Sequence, residues 1–213
     1  MTNKAQVAGV GMIPFTKPGA SESYDVMGAN AVTIALKDAD LTYDKIQQAY
    51  VGYVYGDSTC GQSALYPVGL TGIPIVNVNN NCSTGSTALF LARQAVESGA
   101  VDCALALGFE QMQPGALGSS FRDRKPPMAM HIAGMLRAQG YDKEAPGAAQ
   151  YFGGAGREYS EKYGTKRETF AKVSEKARKH ASISRTGRSQ AAALFSHSPP
   201  SSASDHAGPD LHS

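Results

Sequence analysis

The stretch TGIPIVNVNNNCSTGSTALFLARQAVESG, Thr71 to Gly99, changes its period halfway along. Gly72-Ile73-Pro74 punctuates the chain, and Ile75-Val76-Asn77-Val78 then has the composition of a short strand. Three asparagines and Cys82 follow. After Cys82 the residues are first small and polar, then apolar at helical spacing through Leu89, Ala92 and Val96, with Gly99 as the stop. The stretch therefore reads as strand, turn and helix, with Cys82 at the point of change.

The neighbouring segments repeat this alternation. Upstream, Ala49 to Tyr55 (AYVGYVY) reads as a strand closed by Gly56-Asp57, and Gln62 to Leu70 as a short helix broken by Pro67. Tyr24, Met27, Ala31, Ile34 and Ala35 recur at helical spacing and predict an amphipathic helix from Ser23 to Asp38. Before it, Gln6 to Met12 suits a buried strand. Downstream, Asp102 to Phe109 (DCALALGF) is almost uniformly apolar, as in a central strand covered on both faces. Strands alternating with helices imply an α/β layered core over residues 1–120.

Past Glu110 the texture shifts to Gly, Pro, Met and mixed charge, which predicts a loop or lid region, mainly helical, over 121–180. Ala148 to Tyr163 reads as a helix ended by Gly164. Thr165 and Glu168 have the form of a capping box opening another helix that runs to about His180. From Ala181 the chain is rich in serine, holds Pro199, Pro200 and Pro209, and has little periodicity, so 181–213 is expected to be a disordered, low-complexity tail.

Composition excludes several classes. With 20 basic and 18 acidic residues in 213, the net charge of +2 makes no field that argues for nucleic acid or an anionic membrane. No run approaches the roughly 18 apolar residues of a membrane span. The amino terminus lacks a secretory pattern. Three cysteines, Cys60, Cys82 and Cys103, are too few for a disulfide scaffold and show no zinc-ligand spacing, so no metal is expected and a reducing compartment fits.

The chemistry centres on Cys82. A thiol at the amino end of a helix meets unpaired backbone N–H groups and the positive end of the helix dipole, both of which favour attack. Ser83, Thr84, Gly85 and Ser86 are small enough to let a substrate approach the backbone, and the Cys82 N–H is a candidate oxyanion donor. Position alone leaves inert packing as the other reading. Cys60, in a Thr-Cys-Gly-Gln loop, and Cys103, beginning an apolar strand, read as structural, and His131 as a lid or surface residue. Met112 reads as gap-filling, with the lining of an acyl channel, together with the Gly115 to Gly118 segment, as the other reading. The basic groups Arg122, Arg124 and Lys125, with Arg167, Lys172, Lys176, Arg178 and Lys179, read as solvated charge.

Four strings carry a resemblance: GYVYGDSTCGQSALY from Gly52, TGIPIVNVNNNCSTGSTALFLARQ from Thr71, ALALGFEQM from Ala104 and KYGTKRETFAKV from Lys162. Together they make the chain, from Val7 to about His180, similar to the thiolase family, in its sterol carrier protein X branch. The resemblance implies the amino-terminal half of a thiolase-like layered fold, incomplete, with a mixed, mainly parallel sheet flanked by helices. It also puts the family's nucleophile on Cys82, near a loop that includes Cys60. The reaction implied is thiolytic cleavage of a 3-oxoacyl-CoA through an acyl-cysteine, in fatty-acid and lipid metabolism. Coenzyme A and acyl-CoA serve as substrates and no separate cofactor is needed; which residues hold coenzyme A is open, the region between the halves being the place to look. A homodimer and a peroxisomal location are implied for eukaryotic relatives, a cytoplasmic one for a prokaryote, although the chain ends Leu211-His212-Ser213 without a Ser-Lys-Leu-type address.

The departures are equally specific. The His-Asp-Cys-Phe-like, Gly-His-Pro and Cys-x-Gly strings, which carry the family's other catalytic groups, do not occur in the sequence. The resemblance ends where a thiolase continues into the last strand of its amino half, as expected of a frameshift, a retained intron or a truncated gene model. Two further readings follow: an inactive fragment that pairs with a full-length subunit, and a relative of the decarboxylating ketoacyl synthases, against which the NNNCSTGSTAL string speaks.

Overall fold

The computed structural model describes residues 4–114, 117, 121–140, 146–183 and 189–197. The chain divides into two units. The first holds the described parts of Met1–Phe15, Ala20–Gln111 and Ser189–Ser213, and the second those of Thr16–Gly19 and Met112–Arg188.

In the first unit the elements follow the order read from the sequence: β1 (Ala5–Pro14), α1 (Tyr24–Asp38), a 3-10 turn (Tyr43–Lys45), β2 (Gln48–Gly52), α2 (Cys60–Leu65), β3 (Ile75–Val78), α3 (Thr84–Glu97) and β4 (Cys103–Gly108). A fifth strand, β5 (Ser189–His197), completes a sheet of order β1-β5-β4-β2-β3. β2 pairs in parallel with β3 and β4, while β5 runs antiparallel to both β4 and β1. The sheet is thus mixed, with four of its five strands running the same way and helices on both faces, the α/β fold class expected.

Strand periodicity assigns the two faces. Cys103, Leu105 and Leu107 of β4 join Ala49 and Val51 of β2, Ala31, Val32, Ala35 and Leu36 of α1, and Ala64 and Leu65 of α2 in one cluster. The intervening Ala104 and Ala106 pack with Ala92 and Val96 of α3 on the other face. β4 is buried from Cys103 to Leu107, as a strand covered on both sides must be. β1 comes close to α1 through Gly9 and Gly11, where a Cβ would overlap the carbonyl oxygens of Ala35 and Ala31.

Three expectations change in detail. In α1 the buried stripe uses Val32 and Leu36, and Ile34 is 44% exposed. In α3 the stripe is Thr84, Ala88, Ala92, Ala95 and Val96, and Leu89 lies outside it, because the facing alanines of β4 draw the helix in on its small residues. β2 stops at Gly52 and does not reach Tyr55, since the N–H groups of Val54 and Tyr55 donate to the Glu110 carboxylate and not to a strand.

The largest difference concerns the tail. Residues 189–197, expected to lack fixed structure, form β5 between β1 and β4, and α6 (Arg167–Ile183) runs past His180. The alanine-rich run Ala191-Ala192-Ala193 has little strand propensity. Two open strand edges supply backbone partners along both of its sides, from Ser189 opposite Pro14 to Ser196 opposite Cys103. Residues 184–188 and 198–213 lie outside the described residues.

The described part of the second unit is mainly helical. It contains α4 (Ala129–Gln139), α5 (Gly147–Tyr163) and α6. α5 ends at Gly164, whose φ of 68° is the left-handed value a helix stop needs. Gln139 Nε2 donates to the Gln150 carbonyl and ties α4 to α5 at 3.1 Å.

Candidate active site

β2, β3 and β4 end in one row, with Gly52 opposite both Val78 and Gly108. The loops that leave these strand ends contain three of the family-like strings. In layered α/β proteins, ligands bind outside the carboxyl ends of the parallel strands.

The β3–α3 turn carries Cys82. Asn81 takes φ 47°, a left-handed conformation that asparagine tolerates better than most residues. The Ser83 and Thr84 N–H groups donate to the carbonyls of Asn80 (3.2 Å) and Asn81 (3.1 Å), which folds the chain back on itself around the cysteine. Side chains brace the same turn. Ser83 Oγ donates to the Asn80 carbonyl at 2.8 Å, Asn80 Nδ2 to Thr87 Oγ1 at 3.1 Å, and the Asn81 N–H to Asn79 Oδ1 at 3.3 Å. None of these bonds uses the Cys82 thiol, which is free and exposed.

Glycines let α3 come down on the strand ends. A Cβ on Gly52 would stand 2.7 Å from Thr84 Cγ2, and one on Gly108 3.5 Å from Gly85 Cα. The amino end of α3 is therefore seated over β2 and β4.

A second set of contacts fixes the loop after β2. The Glu110 carboxylate accepts the N–H groups of Val54 (3.0 Å) and Tyr55 (2.8 Å), and the Phe109 N–H donates to the Gly52 carbonyl at 3.1 Å. Phe109 stacks between Tyr53, at 5.2 Å, and Tyr24, at 5.3 Å. Tyr53 Oη donates to the Asp57 carbonyl and accepts the Cys60 N–H, so the loop returns to α2 held at both ends.

The other sequence candidates separate from Cys82. Cys60 and Cys103 are buried, and burial, with Asp102 alongside, pushes the Cys103 thiol above its ordinary range. His131 is exposed on α4, in the second unit. Met112 also belongs to the second unit, and of the Gly115 to Gly118 segment only Leu117 is described. Arg124 is engaged by Asp123 at 2.8 Å and by the Phe121 ring, and the basic side chains of α6 are exposed. A cavity of about 550 Å³ lies by the amino ends of β2 and β4, among Ala39, Asp44, Lys45, Gln47, Asp102 and Cys103, away from the carboxyl ends of the strands, where Cys82 lies. Among the described residues no group of three or more His, Cys, Asp or Glu side chains could hold a metal ion.

Sequence reading took Thr84 only as one of the small residues after Cys82, and it missed Glu110 and the Tyr53–Phe109–Tyr24 stack. A hint for Glu110 was present: a carboxylate directly after a fully apolar strand needs donors, and the loop after β2 supplies them.

With this geometry in place, the comparisons are specific. The model of the thiolase N-terminal domain family matches residues 6–191. The chain belongs to the thiolase family. It is 54% identical over 177 residues to sterol carrier protein 2 of Oryctolagus cuniculus, which covers 82% of this chain and 32% of that protein. To benzoylsuccinyl-CoA thiolase subunit BbsB of Thauera aromatica it is 32% identical over 160 residues, or 70% of this chain and 41% of that subunit. The chain spans about a third of the length of the sterol carrier protein it matches. Among solved structures, Ltp2-ChsH2(DUF35) aldolase superposes with a TM-score of 0.69 at 16% identity, over 92% of this chain and 56% of that one, a likeness of fold.

Proposed function

We propose that Cys82 is the acyl-accepting nucleophile of a thiolase-type acyltransferase of lipid metabolism. The observation that carries this reading is the placing of an exposed thiol, on a braced turn, at the amino end of α3 where the loops after β2, β3 and β4 meet. Membership of the thiolase family supports it.

The Cys82 sulfur attacks the 3-keto carbon of a 3-oxoacyl-CoA, and backbone N–H donors at the head of α3 hold the oxyanion. The bond between C2 and C3 breaks, its electron pair leaves with the departing acyl-CoA, and C2 takes a proton. The shortened acyl group is now a thioester on Cys82. A second coenzyme A thiol displaces it and returns the cysteine. Proton transfer in both halves needs acid and base groups, which the family carries on strings that do not occur in this sequence. The acylation step is accordingly the one assigned to this chain. A peroxisomal setting is proposed from the sterol carrier protein relatives.

The test is direct. The full chain is incubated with a 3-oxoacyl-CoA or a short acyl-CoA, quenched in acid and mapped by mass spectrometry. The expected product is one acyl group on Cys82, missing from Cys82→Ala. A chain that gains no acyl mass sinks the assignment and favours the inactive fragment that pairs with a longer subunit.

A further inference from the structure

Thr84 is the buried polar residue of the described core, at 5% exposure, and its hydroxyl is used twice. It donates to the Asn81 carbonyl at 2.6 Å and accepts the Asn80 N–H at 2.8 Å. A hydroxyl has one hydrogen to give, so these two bonds satisfy it in a single orientation. Both partners belong to the two residues before Cys82. The methyl group is equally constrained: Thr84 Cγ2 fills the space that a Cβ on Gly52 would need, so the side chain is backed by the end of β2. One residue thus joins the sheet, the first turn of α3 and the segment that presents the thiol.

We infer that Thr84 is the positioning residue for Cys82: its hydroxyl clamps Asn80 and Asn81, and its methyl group registers that clamp against β2. The inference rests on the assignment of Cys82 as nucleophile. Valine at this position keeps the methyl contact and breaks both hydrogen bonds, leaving the Asn80 N–H unpaired. Serine keeps the hydroxyl and gives up the methyl group. A turn that frays swings the thiol away from the amino end of α3, where unpaired N–H groups assist attack.

The experiment compares the full-length chain with Thr84→Val and Thr84→Ser. Iodoacetamide is the probe, and alkylation is mapped to Cys82 by mass spectrometry in buffer and in denaturing urea. Far-UV circular dichroism checks the fold. Thr84→Val is expected to slow Cys82 alkylation in buffer by about tenfold, with the urea rate unchanged, while Thr84→Ser stays within about twofold of the parent. A folded Thr84→Val chain that reacts at the parent rate overturns the inference, as does a Thr84→Ser chain as slow as Thr84→Val. Should Thr84→Val fail to fold, amide exchange in the parent decides: an Asn80 N–H protected from exchange sustains the clamp, and an unprotected one removes it. Alkylation needs no acyl transfer, so a parent that forms no thioester discards the nucleophile assignment by the acylation test, separately from the result for the clamp.

Discussion

The three cysteines occupy three environments, and those environments sort their chemistry. Cys82 is exposed on a braced turn, Cys60 is buried beneath the Tyr53 hydroxyl, and Cys103 is buried at the start of β4. Cys103 gives a prediction with a definite sign. Burial first, and then Asp102, raises its folded-state pKa, so the folded chain holds this proton more tightly than the unfolded one. The stabilisation is complete below the ordinary thiol pKa of about 8.5 and is lost as pH rises through the higher folded value. Urea midpoints measured at neutral and at alkaline pH should fall further for the parent than for Cys103→Ala. Equal falls would show that Cys103 is not linked to stability. The sequence placed Cys82 between a strand pattern and a helix pattern, which is a local signal, and only the thiolase resemblance singled it out as a nucleophile. It gave no sign of the contacts of Thr84 with Gly52 or of Glu110 with Val54 and Tyr55.

At the scale of the element, α3 shows how a correct helix can have its face misassigned. Of the large apolar residues Leu89, Phe90 and Leu91, the first two are 41% and 59% exposed and Leu91 is only partly buried, while Ala88, Ala92 and Val96 are fully buried. Close approach to the alanines of β4 favours the small face. Val96→Ala should therefore cost about 1–3 kcal/mol, and Leu89→Ala less than about 1 kcal/mol, in urea denaturation of the full chain. The reverse ranking would mean that Leu89, as periodicity suggested, faces the sheet. α1 repeats the lesson on the other face, where Ile34 turns outward and Val32 and Leu36 turn in. Period identifies the helix in both cases; the shape of the opposing surface selects the stripe.

Across the whole molecule, the decisive element is the one that the sequence texture hid. β5 lies between β1 and β4 and pairs with both, so the two strands reach each other in the sheet only through it. Ala193 sits opposite Val10 on one side and Ala106 on the other. Proline there removes a ladder donor from an interior strand, and Ala193→Pro should destabilise the chain by about 3 kcal/mol or more, read as a lower urea midpoint. An unchanged midpoint would exclude β5 from the cooperative core. Among the described residues no helix is long and apolar enough to cross a membrane. By itself, the sequence determined the alternation of strands and helices, the site of Cys82 and the thiolase resemblance. Each of these is written in neighbouring residues, as a period, a cap or a contiguous motif. Tertiary structure alone decided the place of β5, the buried face of α3 and the pairing of Glu110 with donors 55 and 56 positions away. Those depend on which distant backbone edges and surfaces meet, and no local period records such a meeting.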